Sequence, residues 1–199
     1  MDNTNTYLLD FFSSLQKEGR VFSTQFRKHL QDLASVEDYG CRQQLQRKGT
    51  EVKHVWYVLE GALRTRNFYD KKDQDVTSCL WFPGQWAGVF THLFSSTRSD
   101  RVIEAITDSV VIRFPFAELL AIRMQFPEEW MWVAGSMIEM YIRSCDYRHE
   151  QMITLSARER YQQLLGEHPE VFQMIKQQEI ASYLNISREE LSRLRAVRS

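Results

Sequence analysis

The hydrophobic period of this chain changes twice, and those two changes limit its architecture more than any single motif. From about Tyr39 to Phe114 the pattern is that of strands. His54-Val55-Trp56-Tyr57-Val58-Leu59 is β-branched and aromatic, and Glu60-Gly61 closes it as a turn. Leu63 to Tyr69 resumes a strand, Asp70-Lys71-Lys72-Asp73 is a polar turn, and Val76 to Phe82 reads as the return strand, ended by Pro83-Gly84. Val102 to Ile106 and Ser109 to Phe114 form two more short strands around Thr107-Asp108. Several short strands with turn signals between them, over about 75 residues, predict a small sandwich or jelly-roll-like double-stranded β roll.

The flanks are helical. Leu8, Leu9, Phe12 and Leu15, then Phe22, Phe26, Leu30 and Leu33, fall at helical spacing within residues 6–34. Phe116 to Met124 predicts one short helix. Pro127-Glu128-Glu129 then opens a long one, with proline in the first turn and acids at the positive end of the helix dipole. Along it Trp130, Val133/Ala134, Met137, Tyr141, Ser144/Cys145 and Arg148 sit at alternating spacings of three and four. That heptad-like seam predicts a dimer helix that touches the roll along one part and its twin along another. The fold class is therefore α+β. It comprises helices and a β roll over 1–126, a dimerisation helix over 127–153 and a helix-turn-helix over 154–199.

Ser156-Ala157-Arg158-Glu159 is a capping box, and the helix it opens, carrying Tyr161, Leu164 and Leu165, should stop near Gly166 before Pro169. A short turn is expected around Val171 to Met174. Lys176 to Ser187 then places Ile180 and Leu184 one turn apart, with small Ala181 where a second helix must cross closely. Asn185 stands where a tight turn needs left-handed backbone, which asparagine tolerates best after glycine. Ile186 is an apolar plug, and Ser187-Arg188-Glu189-Glu190 is a second cap. Leu191 and Leu194 should face inward, leaving Arg188, Glu189, Ser192, Arg193 and Ala196 on the opposite stripe. Arginine donates two parallel hydrogen bonds to the guanine O6/N7 edge, and glutamate accepts from the cytosine amine. Lys176, Gln177, Gln178 and the amides beginning their helix are placed to position a phosphate.

Charge restrains this reading. The whole chain carries a formal net charge of -1, so any affinity for double-stranded DNA must rest on a local patch. Residues 151–199 hold seven Lys/Arg against six Asp/Glu, which predicts modest, salt-sensitive binding that depends on two half-sites in a homodimer. A solvated surface hairpin, in a protein-interaction module with a vestigial helix-turn-helix, is the competing reading.

With these residues in view, almost the whole chain resembles the Crp/Fnr family of bacterial transcription regulators. The order of elements is shared. Gln178-Glu179-Ile180-Ala181 and Ser187-Arg188-Glu189-x(3)-Arg193 are similar to that family's DNA-reading motif position by position. The resemblance implies base-contacting roles for Arg188, Glu189 and Arg193, and it implies two departures. Members that bind cyclic nucleotides use a glutamate for the ribose hydroxyl, and an arginine followed by serine or threonine for the phosphate. Between Gly84 and Ala105, the matching places here, after Gly88, are Val89, Ser99 and Asp100, with Phe90 beside them. Valine accepts nothing from a hydroxyl, and a carboxylate repels a phosphate. A degenerate effector pocket without cyclic AMP control is expected. The aromatic residues Trp81, Phe82, Trp86, Phe90 and Phe94 either fill a ligand-free core or line a cavity for an unknown small-molecule effector. Relatives also continue past the reading helix into a β-hairpin wing, whereas this sequence reaches Ser199 there, which implies fewer phosphate contacts.

No cofactor is expected. Cys41 is the sole cysteine before Cys79, which does not make an iron–sulfur group. His54 and His92 are lone histidines of the kind that more often belong to surfaces or cores than to haem or metal. Three widely spaced cysteines, no signal peptide and no apolar run of about 18 residues predict a cytoplasmic protein outside the membrane. No nucleophile elbow, phosphate loop or paired metal motif suggests catalysis.

Overall fold

The computed structural model describes residues 4–15, 21–69, 74–93 and 98–196. Two helices lead, α1 (Thr4–Leu15) and α2 (Thr24–Leu33), followed by strands β1 (Ser35–Tyr39), β2 (Gln44–Gln46), β3 (His54–Glu60), β4 (Leu63–Tyr69), β5 (Gln74–Trp81) and β6 (Trp86–Ala87). A single-turn helix α3 (Phe90–Leu93) precedes β7 (Arg101–Ala105) and β8 (Ser109–Pro115). Helix α4 (Phe116–Ala121) runs on through a 3-10 turn at 122–124. Then come α5 (Pro127–Thr154), α6 (Ala157–Glu167), α7 (Val171–Met174), α8 (Gln177–Leu184) and α9 (Arg188–Ala196). The polar turn expected at Asp70–Asp73 lies outside the described residues, as does Phe94.

The strands form two four-stranded antiparallel sheets, ordered β1-β8-β3-β6 and β2-β7-β4-β5. This is the expected roll, with β1 and β2 added at positions that carry no apolar alternation. Strand β3 explains the layering. Trp56 and Val58 face the roll interior, with Leu63, Trp81, Val89, Ile103 and Val111. Val55 and Tyr57 face the other way, into a second core under the helices with Phe11, Phe26, Phe114 and Met137. A central strand buried on both faces has no polar alternation to show, hence its continuous hydrophobic run. Gly61 turns the chain into β4 at φ +78, and any side chain there would meet the Asp108 carbonyl.

Each sheet thus has one outer face to cover. The first is covered by α1, α2 and α5. Phe11 packs edge-on against Tyr57 with ring centroids 4.9 Å apart, and Tyr57 Oη donates to Ser14 Oγ at 2.7 Å. In α1 the buried face is Leu8, Phe11 and Phe12, at i, i+3 and i+4, whereas Leu9 falls off that stripe and is exposed. The second sheet is covered by the C-terminal helices. Ala62, Leu80, Phe82 and Ile106 of the roll share a core with Tyr161, Leu164, Val171, Ile180 and Leu184.

The helix α5 corrects one expectation. The seam built on Trp130, Ala134, Met137 and Tyr141 faces this chain's own roll. Met137 is 3% exposed, Trp130 packs on the helix-side core, Ala134 is half-buried, and Tyr141 meets Phe90 in a tilted ring contact at 5.0 Å. The unpartnered stripe is offset by one residue. Met131, Ile138 and Ile142 are 69%, 49% and 51% exposed, and Gly135 sits between them with nothing near its Cβ position. A helix with apolar residues on two sides carries two heptad patterns, and spacing alone cannot say which one the roll takes. No helix among the described residues is long and apolar enough to cross a membrane.

Candidate nucleic-acid interface

The C-terminal helices are built by local capping. Ser156 Oγ accepts from the Glu159 amide, and Glu159 accepts in return from the Ser156 backbone and hydroxyl. Those two bonds hold the Glu159 carboxyl below its usual range. Arg160 then ties the segment together, donating to the Leu155 carbonyl at 2.6 Å and to the last α8 carbonyl, Leu184, at 3.1 Å.

Helix α8 ends as its sequence predicts. Asn185 adopts φ 53, ψ 49, its amide donating to the Ala181 and Ser182 carbonyls, and the Ile186 amide donates to Ala181 at 3.0 Å. That reversal satisfies carbonyls that would otherwise be orphaned at the helix end. Ser187 Oγ accepts from the Glu190 amide at 3.0 Å and starts α9. Leu191 is 0% exposed against Ile180, Ala181 and Leu184, and Leu194 packs on the same cluster.

With the leucines inward, the opposite stripe is left in solvent. Arg188, Glu189, Ser192 and Arg193 are exposed, as are Lys176, Gln177 and Gln178 at the start of α8 and the capping Ser187. The Glu189 carboxyl lies below its usual range, through its own backbone amide first and the Ser187 hydroxyl second. At neutral pH the stripe therefore presents two guanidinium groups and an ionised acceptor, the donor and acceptor set that distinguishes G·C pairs in a major groove.

The residues expected to form a degenerate effector pocket are used for packing. Val89 is 1% exposed in the roll interior, and a side chain at Gly88 would press on Val55 and Phe90. Ser99 is buried, its hydroxyl donating to the Arg101 carbonyl at 2.7 Å and accepting from the Arg101 amide. Asp100 is exposed beside Arg101, 3.5 Å from its Nε. Phe90 meets Tyr141 of α5 across this edge, and burial pushes the Tyr141 hydroxyl up. Trp56, Trp81 and Trp86 are fully buried and fill core. His54 lies half-buried on β3, its imidazole pushed down by burial. The side chain of His92 is outside the described set. Among the described residues no three His, Cys, Asp or Glu side chains converge on a metal-sized site.

One group of functional interest was not anticipated. Glu179 of α8, 4% exposed, turns away from the exposed stripe and pairs with Arg42 at 2.5 Å and Arg64 at 3.7 Å. Both arginines also approach Glu104, at 3.5 and 2.6 Å. Arg64 and Arg66 stand two apart on β4, so period-two charge marked this outer sheet face, but Glu179, the α8 partner of Arg64, lies far away in sequence.

No family model matches the sequence, and no curated protein matches it in sequence. Solved structures do share its fold. One is the global regulator CLP of Xanthomonas campestris, described as c-di-GMP responsive. It is 16% identical with a TM-score of 0.65, and the match covers 86% of this chain and 89% of that one. FixK2 of Bradyrhizobium japonicum is 19% identical at 0.63, covering 82% and 83%. A transcriptional regulator assigned to the Crp/Fnr family from Eubacterium rectale is 17% identical at 0.69, covering 87% and 82%. The architecture is thus that of Crp/Fnr regulators, from the N-terminal helices to the helix-turn-helix.

Proposed function

We propose that this chain is a sequence-specific DNA-binding transcription regulator of the Crp/Fnr type. In this reading residues 1–126 are its sensor-like unit, 127–153 its dimer helix and 154–199 its DNA-binding unit. The observation that carries the proposal is the exposed stripe Arg188, Glu189, Ser192 and Arg193, on a serine-capped helix whose Leu191 is fully buried. Arg188 and Arg193 would pair bidentately with guanine edges and Glu189 would accept from cytosine. Lys176, Gln177 and Gln178 would anchor the backbone.

A near-neutral reading unit needs avidity, and α5 supplies a route to it. Met131, Gly135, Ile138 and Ile142 repeat by four, three and four along its outer face, the spacing of a two-helix seam. Two copies joined there would bring two reading helices to half-sites about 34 Å apart. Control by cyclic AMP has no support in the packed residues Val89 and Ser99 or the carboxylate of Asp100.

The exposed α5 stripe and the small charge excess also suit an interaction module that binds another protein and no DNA. Selection from a random-sequence DNA pool by gel shift separates the two readings. Enriched pseudo-palindromes are expected, and a pool that stays unenriched would refute the regulator.

A further inference from the structure

The helix-turn-helix is fastened to the roll by polar contacts as well as by its apolar core. On one side of α8, Glu179 enters the arginine cluster. On the next turn, Ser182 Oγ accepts from the Thr77 amide of β5 at 2.9 Å. Tyr183 lies under the Arg148 guanidinium of α5, 4.3 Å from its carbon to the ring centroid. All three residues sit on the face of α8 turned from the reading stripe.

The charges explain why Glu179 is central. The roll's outer face brings Arg42, Arg64 and Arg66 around one acid, Glu104, which is 3% exposed. With α8 away, Arg42 and Arg64 would lose the Glu179 carboxylate and be left with Glu104 in a partly buried setting. With α8 docked, Glu179 supplies a second carboxylate. An exposed ion pair contributes little, but Glu179 and Arg64 are both nearly buried, so each depends on its partners. Arg42 is held for this contact at a cost. Its backbone is left-handed at φ 75, a conformation rare for a residue with a long side chain. Its amide donates to the Ala105 carbonyl at 2.8 Å and the Cys41 amide donates to Asp108, which fixes the turn.

We propose that this cluster is an ionic latch that sets the angle at which each helix-turn-helix sits on its roll. Glu179 and Arg42 are its positioning residues. The inference rests on the regulator reading above. The latched arrangement leaves the reading stripe exposed, so it is the DNA-competent one, and the latch holds two reading units in fixed relation across a dimer. Released, each unit would pivot at Leu155, the extended residue between α5 and α6. A single half-site would be read as before. The second half-site would be met at a lower effective concentration.

Arg42→Gln tests this, because Arg42 lies on the roll and touches no part of the reading stripe. In the full-length protein we expect faster hydrogen exchange across residues 177–184. On DNA we expect at least about tenfold weaker binding to a selected two-half-site duplex, with affinity for a single half-site unchanged. Glu179→Gln should quicken exchange likewise, and Arg42→Gln added to it should do little more, since the two act through one contact. Unchanged exchange in both variants would overturn the latch. So would equal losses on one and two half-sites, or tighter binding to either. If the wild-type protein binds no DNA, the regulator reading fails, and exchange alone still decides the latch.

Discussion

Two segments of this molecule, the helix-turn-helix and the stretch between Gly84 and Ala105, use their side chains in opposite ways. In the helix-turn-helix, polar side chains stand in solvent on a scaffold held by the buried Ile180, Leu184 and Leu191. Between Gly84 and Ala105 the arrangement is reversed, with Val89 buried, Ser99 satisfied internally and Phe90 in ring contact with α5. A side chain held by its neighbours is spent on stability. One held only by its backbone, like Arg188 or Arg193, is free to bind. The difference sets an exposed polar stripe on α9 against a segment of the roll whose Val89 and Ser99 are tied up within the protein.

The sharpest way to break that contrast is to restore the missing acid. Val89→Glu places a carboxylate in a site that is 1% exposed among Trp56, Trp81 and Ile103. We expect a loss of about 3–5 kcal/mol in chemical denaturation and no gain of cyclic AMP binding by calorimetry. A stable variant that binds the nucleotide would show that the cassette is still a pocket. Next in size is Leu191→Ala, which removes the buried support of the reading helix. A stability loss of about 2–5 kcal/mol is expected, with hydrogen exchange raised first in residues 177–196. A cost near zero would mean that α9 is not anchored as described. Smaller again is Ser187→Ala, which deletes the cap on Glu190. It should cost about 0.5–2 kcal/mol and leave the roll's near-ultraviolet dichroism unchanged.

The same contrast governs what the sequence could reveal. The helix-turn-helix was legible almost residue by residue, because caps and turns are local. Asn185 takes the left-handed conformation and Ser187 the cap that their residue types call for. The roll was legible as a class, although β1 and β2 carry no alternating apolar signal and were not foreseen as strands. What failed was whatever depended on distant partners. Apolar residues line two sides of α5, and only the packed roll shows that Met137 goes inward and Ile138 outward. Glu179 stood in the sequence only as a member of the Gln178-Glu179-Ile180-Ala181 motif, and nothing local pointed to Arg42 and Arg64 as its partners.

The central claim is that the exposed stripe of α9 reads bases, and its most direct test compares the base-preference profiles of wild type and Arg188→Ala on the same selected duplex library. The account predicts that preference flattens at one position in each half-site, at a cost of about 1–3 kcal/mol, while the other positions keep their order. Identical profiles, with identical affinity, would contradict it.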